Sequence, residues 1–208
     1  MRNMRLIVLL VLAAATLPGV AEAHNFKTGT AVPQAIDAIG AALNDPVLLL
    51  TLIPLGLMAS IWRQEGLLDI WIPAAIGLIL AIPLAFIATP WFAVPSLLAG
   101  IACAGLAILA RDYSPSLMKG MAVLTGMFAM LSVLEGHGFF ELPIAIYVGL
   151  FLGANMAFVV AAAIARIMLE KLPTVIARIA ARILSSWTAA IALMLLAFQI
   201  QKLVSGAL

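Results

Sequence analysis

The stretch that decides the fold is PIAIYVGLFLGANMAFVVAAAIARI, an apolar run at residues 143–167. Its only charged side chain is Arg166, next to the end. A helix of about 20 apolar residues is long enough to cross the hydrocarbon core of a bilayer. Gly149 and Gly153 stand four residues apart, a spacing of small residues that lets membrane helices approach closely. The stretch therefore predicts a transmembrane helix in close contact with another helix.

The whole chain shares this apolar character. Of its 208 residues, 65% are hydrophobic and 10% are charged, and the mean hydropathy is +1.21. A soluble domain needs more polar residues to cover its surface, so the composition excludes that class. The predicted class is an all-α integral membrane protein. The formal net charge is +2, and the single cysteine, Cys103, excludes an internal disulfide.

Six transmembrane helices are predicted, each close to the length that a bilayer requires. Short breaks separate them, among them TPW at 89–91 and RDYSPS at 111–116. Ahead of the first span, residues 32–43 form either a short amphipathic or interfacial helix or an ordered loop. The predicted spans are Asp45–Trp62, Leu68–Ala88, Trp91–Ala110, Ser116–Leu134, Pro143–Ile167 and Ile183–Gln201.

The N-terminus has the three parts of a secretory signal peptide. Two arginines form a positive start, a short apolar core follows, and AEA at 21–23 offers small residues to a signal peptidase. We expect cleavage at this point, which makes 1–23 the signal peptide and His24 the first residue of the membrane domain, 24–208. The alternative is an uncleaved signal anchor.

The placement of Lys and Arg predicts the orientation, because these residues collect in cytoplasmic loops. With the mature N-terminus outside, seven basic residues of the loops and helix ends face the cytoplasm and two face outward. We therefore predict a multi-pass protein of the bacterial inner membrane with an extracytoplasmic mature N-terminus. The outer two are Lys27 and Lys202, and the inner seven are Arg63, Arg111, Lys119, Arg166, Lys171, Arg178 and Arg182.

The fifth loop, RIMLEKLPTVIARIAAR at 166–182, is both basic and apolar. We predict an amphipathic segment on the inner leaflet, held there by anionic lipid. The alternative is a docking surface for a cytoplasmic partner.

Side chains that can ligate a metal gather in the outer loop LEGHGFFELP at 134–143. On this topology both histidines of the chain face outward, and imidazole and carboxylate groups suit Ni, Co, Cu or Zn. The alternative is structural: two glycines around His137 make a tight turn, and Glu141 caps the next helix. The candidate metal ligands on the outer side are His24, Asp45, Glu135, His137 and Glu141.

Asn155 stands near the middle of the predicted fifth span. Its side chain either hydrogen-bonds across helices or ligates an ion on its path through the membrane. The predicted fourth span carries several methionines, which either pack or bind soft Cu(I). They are Met118, Met121, Met127 and Met130.

The sequence has no nucleophile elbow, HExxH motif, Cys pair or Gly-rich phosphate loop. We therefore predict that the protein is not an enzyme and holds no permanent cofactor. Transport, if it occurs, draws its energy from a gradient or from a separate subunit.

Three pieces of the sequence, AEAHNF, GHGFFELP and YVGLF, together with six predicted spans, resemble the HupE/UreJ family of nickel and cobalt permeases. The resemblance implies metal-binding roles for His137 and Glu141, and by position for Asp45 and His24. The first span of that family begins with histidines, whereas this chain reads LNDPVLLLTL at 43–52. A histidine of the family's fifth span is also replaced here by Asn155 or Phe158. These departures imply either another metal, such as copper, or a protein that no longer transports.

Two functional hypotheses follow. The first is an inner-membrane permease for a divalent transition metal, with nickel implied by the resemblance and cobalt or copper as alternatives. The second is a non-transporting accessory subunit of a larger membrane complex. The expected partners are the lipid bilayer, a transition-metal ion, and a partner subunit or further copies of the chain; nucleic acid is not expected.

Overall fold

The computed structural model describes residues 30–63, 65–85, 88, 90–138 and 141–205, and all regular structure in these ranges is helical. The predicted all-α class is confirmed for this part of the chain. The predicted signal peptide and His24 lie outside the described residues.

Seven α-helices form the described fold, and one 3-10 turn, Pro90–Phe92, precedes the fourth. Helix α1 shows that the segment at 32–43 is helical rather than a loop. Helices α2 to α7 fall on the six predicted spans. The helices are α1 Ala31–Asn44, α2 Pro46–Trp62, α3 Gly66–Ala81, α4 Ala93–Leu109, α5 Pro115–Val133, α6 Ile144–Lys171 and α7 Thr174–Ser205.

Helix length decides which of these elements can cross a bilayer unaided. Among the described residues, α5, α6 and α7 are long and apolar enough. Helices α1 and α2 pass the same test as a pair bent by 74°, which brings the number of candidates to four at most. Helices α3 and α4 are apolar but have only 16 and 17 residues, or about 24–26 Å of helix. The fold is that of an α-helical membrane protein.

Helix α3 ends at Ala81 rather than at the predicted Ala88. The next backbone bonds join residues three apart, from Ile82 N–H to the Ile79 carbonyl and from Leu84 N–H to the Ala81 carbonyl. Pro83 has no N–H to continue an α-helical ladder, so the chain tightens around it instead.

The fifth loop is mostly helical, which the sequence did not predict. Helix α6 continues to Lys171 and α7 begins at Thr174 rather than at Ile183. The break is at Leu172, whose φ of −95° and ψ of 150° are the extended values favoured before a proline. Arg178 and Arg182 therefore belong to the first turns of α7.

The bend between α1 and α2 is made by Asp45. Its backbone is extended, with φ −78° and ψ 114°, and its carboxylate accepts a hydrogen bond from the Leu48 N–H at 2.7 Å. Pro46 follows at the first position of α2, where its fixed φ suits a helix start. The extended aspartate thus ends α1, and its capping side chain together with the following proline starts α2 in a new direction.

Helix α6 contacts both α1 and α2. A Cβ added at Gly153 would lie 2.7 Å from Ala42 Cβ, and one at Gly149 would meet the Ala35 backbone. Gly56 of α2 faces the backbone of α6 at Phe158 in the same way. The close helix contact predicted from GLFLG is therefore confirmed.

The two ends of α2 carry different chemistry. Asp45 precedes the helix and lies close enough to Glu135 to interact with it electrostatically. Arg63 follows the helix, about 26 Å away along 17 residues, and the neighbouring Trp62 donates from Nε1 to the Tyr113 carbonyl at 3.2 Å. We call the Asp45–Glu135 side the acidic end and the Arg63 side the basic end.

Candidate functional site

Two carboxylates interact electrostatically at the acidic end. Glu135 lies directly after α5, and its burial raises the pKa of its carboxyl above the ordinary value of 4.5. The negative charge of Asp45 adds to the rise in this pKa. Burial and the charge of Asp45 both disfavour the ionised form of Glu135. A proton or a metal cation bound between the two groups would offset this cost.

Asp45 has a structural role as well. Its Oδ1 caps the first turn of α2 through the Leu48 N–H. The sequence contains a signal for this role, since Asp followed by Pro is typical of a helix start. The metal-ligand role of Asp45 stays a prediction.

His137 lies in a tight turn beside Glu135. Gly136 has a φ of +79°, a value that glycine adopts readily, and the His137 N–H donates to the Leu134 carbonyl at 3.1 Å. The imidazole Nδ1 lies 3.1 Å from the Glu135 carbonyl oxygen, which can only accept. Nδ1 is therefore the donor, and a neutral ring in this form carries its lone pair on Nε2, as a metal ligand requires. The predicted glycine turn is confirmed at Gly136.

Glu141 closes the same loop from its other side. Its carboxylate accepts a hydrogen bond from the Gly138 N–H at 2.5 Å, and its own N–H donates to the Gly138 carbonyl at 3.3 Å. The N-cap of α6 is instead Pro143, which has no capping side chain. The interpretation of Glu141 as a helix cap is thus wrong, since it bonds within the loop.

Asn155 joins two helices. Its Oδ1 accepts from Trp71 Nε1 of α3 at 2.9 Å, and its Nδ2 donates to the Phe151 carbonyl one turn earlier at 2.7 Å. The predicted hydrogen bond across helices is therefore confirmed. A role as an ion ligand stays a prediction, and it would require the bond from Trp71 to open.

The structure brings the predicted ligands together only in part. Asp45 and Glu135 interact, and the His137 ring bonds the Glu135 backbone. In the described ranges, however, no three His, Cys, Asp or Glu side chains converge to hold a metal ion. His24 lies outside those ranges, so the predicted set is not placed as a whole.

A cavity at the basic end was not foreseen from the sequence. It has a volume of about 440 Å³, and four arginines from three parts of the chain line it. The sequence did indicate that basic residues collect on one side of the membrane. It did not show that four arginines line one cavity there. They are Arg63, Arg166, Arg178 and Arg182.

No family model matches the sequence, and no curated protein or solved structure is significantly similar to it. The resemblance to the HupE/UreJ family therefore stays a prediction.

Proposed function

We propose that the protein is a membrane permease that takes up a divalent transition-metal ion at its acidic end. The observation that supports this most directly is the interaction between the partly buried carboxylates of Asp45 and Glu135. Two acids that disfavour each other's charge gain from a dication that neutralises both. His137, in the adjoining turn, offers the imidazole that makes a transition metal a better occupant than Mg²⁺ or Ca²⁺.

In this proposal the acidic end is extracytoplasmic and the basic end is cytoplasmic, in the bacterial inner membrane. The clustering of arginines at one end of α2 supports this orientation, since Lys and Arg collect on the cytoplasmic side. All of α2 to α7 cross the membrane. The shorter α3 and α4 do so with the turns that adjoin them, or by local thinning of the bilayer.

The first proposed ligands are Asp45, Glu135 and His137, which do not converge as a set of three in the described structure and would have to close around the ion. Glu141 and the predicted mature N-terminal residue, His24, join this set, and Asn155 receives the ion on its way inward. Nickel is the proposed substrate by the family resemblance, with cobalt and copper as alternatives. Since the chain presents no motif for ATP hydrolysis, the ion moves down its own gradient or that of a coupling ion.

The test is metal accumulation by cells that express the Asp45→Asn or Glu135→Gln variant. Asparagine caps a helix as well as aspartate does, so Asp45→Asn removes charge while keeping the start of α2. We expect each variant to lower Ni²⁺, Co²⁺ or Cu²⁺ uptake by about tenfold or more, as loss of a metal-site group does. Asp112→Asn, an exposed acid at the opposite end, is the matched control. Unchanged uptake in well-expressed variants would contradict the proposal.

A second candidate is a non-transporting subunit, which the packing of the interior favours. The buried serine and threonine hydroxyls of the described helices bond to one another, to the backbone or to Cys103, as in Thr51 to Ser96 at 2.8 Å and Ser60 to the Ala162 carbonyl at 2.8 Å. Such pairs lock helices together and leave few groups to line a path. Co-purification with a stable partner, together with no metal uptake, would decide for this function.

A further inference from the structure

The arginine cavity lies where three helices meet at the basic end. The end of α2, the last third of α6 and the first turns of α7 form its walls, and the end of α4 closes it at Ala107 and Ala110. Its volume of about 440 Å³ falls within the ~300–1,000 Å³ of typical small-ligand sites. The cavity is thus large enough for a molecule rather than for a single water.

The charge of the cavity is strongly positive. Four arginines line it, and none of the described lining residues is acidic. Glu170 lies nearby and pairs with Arg166, with Nε and Oε1 2.7 Å apart. Even with that pair counted as neutral, three arginines line one space, and the repulsion between their charges favours a bound anion.

One of the arginines is held by an aromatic ring, and two others share a helix face. The Arg63 guanidinium lies 4.5 Å from the centre of the Trp62 ring, and the Trp62 indole is itself held by the Tyr113 carbonyl. Arg178 and Arg182 stand one turn apart on α7, so both point to the same side of that helix. The N-terminal turn of α7, at Thr174, lies on the same wall and adds the partial positive charge of a helix start. Guanidinium groups in such a set match the oxygens of a phosphate.

The surroundings of the cavity favour a lipid as the source of that phosphate. On α7 the arginines alternate with strongly exposed apolar side chains, with Val175 70%, Ile176 54% and Ile179 53% exposed. A lipid whose headgroup lay in the cavity would have its acyl chains beside these residues. Basic pockets between helices at a membrane surface bind anionic headgroups in this manner.

We propose that this cavity binds the phosphate of an anionic phospholipid headgroup. Arg63, Arg178 and Arg182 hold the phosphate, and the exposed isoleucines and valine of α7 contact the chains. The site is at the opposite end of α2 from the carboxylate pair, so it does not depend on metal transport. A bound lipid would hold the start of α7 against α2 and α6.

The test uses the purified full chain in detergent, depleted of lipid and then mixed with phosphatidylglycerol or with zwitterionic phosphatidylcholine. Thermal unfolding is followed by the reaction of a fluorogenic maleimide with Cys103, which is fully buried. We expect phosphatidylglycerol to raise the unfolding midpoint by about 2–4 °C and phosphatidylcholine to leave it unchanged. Native mass spectrometry should detect about one retained phosphatidylglycerol per chain.

The variant for this test is Arg178→Gln with Arg182→Gln, which we expect to lose the thermal shift and to retain about fivefold less lipid. Lys119→Gln removes a charge that does not line the cavity and should behave as the parent. If the double variant does not fold, Arg63→Gln alone tests the same cavity from its α2 wall. Equal shifts with both lipids, or full retention by the arginine variants, would overturn the proposal. A shift produced by millimolar inorganic phosphate, with no lipid retained, would overturn the lipid assignment in favour of a free phosphate.

Discussion

At the residue scale, the chemistry of Glu135 depends on an electrostatic interaction that the sequence does not reveal. Glu135 and Asp45 are 90 positions apart in the chain, and the sequence predicted only that both face outward as candidate metal ligands. Folding brings them together and partly buries Glu135, and both effects raise the pKa of its carboxyl. The sequence could name both residues as candidates because acids are rare in this chain, but it could not pair them.

The raised pKa of Glu135 predicts a pH dependence of stability. The folded protein binds this proton more tightly than the unfolded chain does, so the free energy of unfolding is greatest at low pH. It falls as the pH rises from the ordinary value of 4.5 through the raised pKa of the folded state. Glu135→Gln should remove this loss and raise the unfolding midpoint at about pH 8, as measured by Cys103 labelling on heating.

Two other variants check the cause of this effect. Asp45→Asn should shrink the pH dependence without abolishing it, because burial contributes more to the rise in pKa than the charge of Asp45 does. Glu65→Gln alters an exposed acid beyond the other end of α2 and should leave the parent curve unchanged. A Glu135→Gln protein with the parent's pH dependence would contradict the assignment.

At the scale of elements, the contact between α1 and α6 depends on glycine. The space beside Gly149 is filled by Ala35 and Ala38 of α1, so a larger side chain must push the two helices apart. We expect Gly149→Val to lower the free energy of unfolding by about 1–3 kcal/mol, the usual cost of overpacking. The thermal unfolding midpoint in detergent measures this loss.

The matched control for that substitution is Gly120→Ala on α5, where an added Cβ meets nothing within 4 Å. Alanine is the better helix former by about 1 kcal/mol, so this variant should be as stable as the parent or more so. Equal losses at both positions would mean that helix packing is not the cause.

Element boundaries show where sequence reasoning was sufficient. The start of α2 at Asp45–Pro46 and of α5 at Ser114–Pro115 follow from a capping side chain and a proline, signals that are local. The end of α3 and the early start of α7 do not follow from such local signals. Apolar residues continued past Pro83, and basic residues at 178 and 182 resembled a loop, yet the backbone hydrogen bonds ended one helix and extended the other.

At the scale of the whole molecule, the proposed topology predicts which end is accessible from outside the cell. In a Cys103→Ala background, a cysteine placed at His137 should react with a membrane-impermeant maleimide on intact cells. A cysteine placed at Asp112, near the basic end, should react only after permeabilisation. The measurement is the fraction of labelled protein before and after the membrane is opened.

Reaction of position 137 only after permeabilisation would contradict the orientation. Reaction of both positions from outside would contradict the proposal that α5, which lies between them, crosses the membrane. The first result would also remove the basis for metal capture from outside the cell, whereas the proposed lipid site at the basic end is tested separately in detergent.

The sequence by itself determined that this is a helical membrane protein, and it located most of the helices, because apolar length and helix-start signals are properties of contiguous residues. Only the tertiary structure decided that Asp45 interacts electrostatically with Glu135, that Asn155 bonds Trp71, and that four arginines from separate segments line one cavity. Such juxtapositions arise because helices pack through small residues. The presence or absence of a single Cβ atom at the contact changes the distance between two helices. That information is spread over distant positions, so no local pattern contains it.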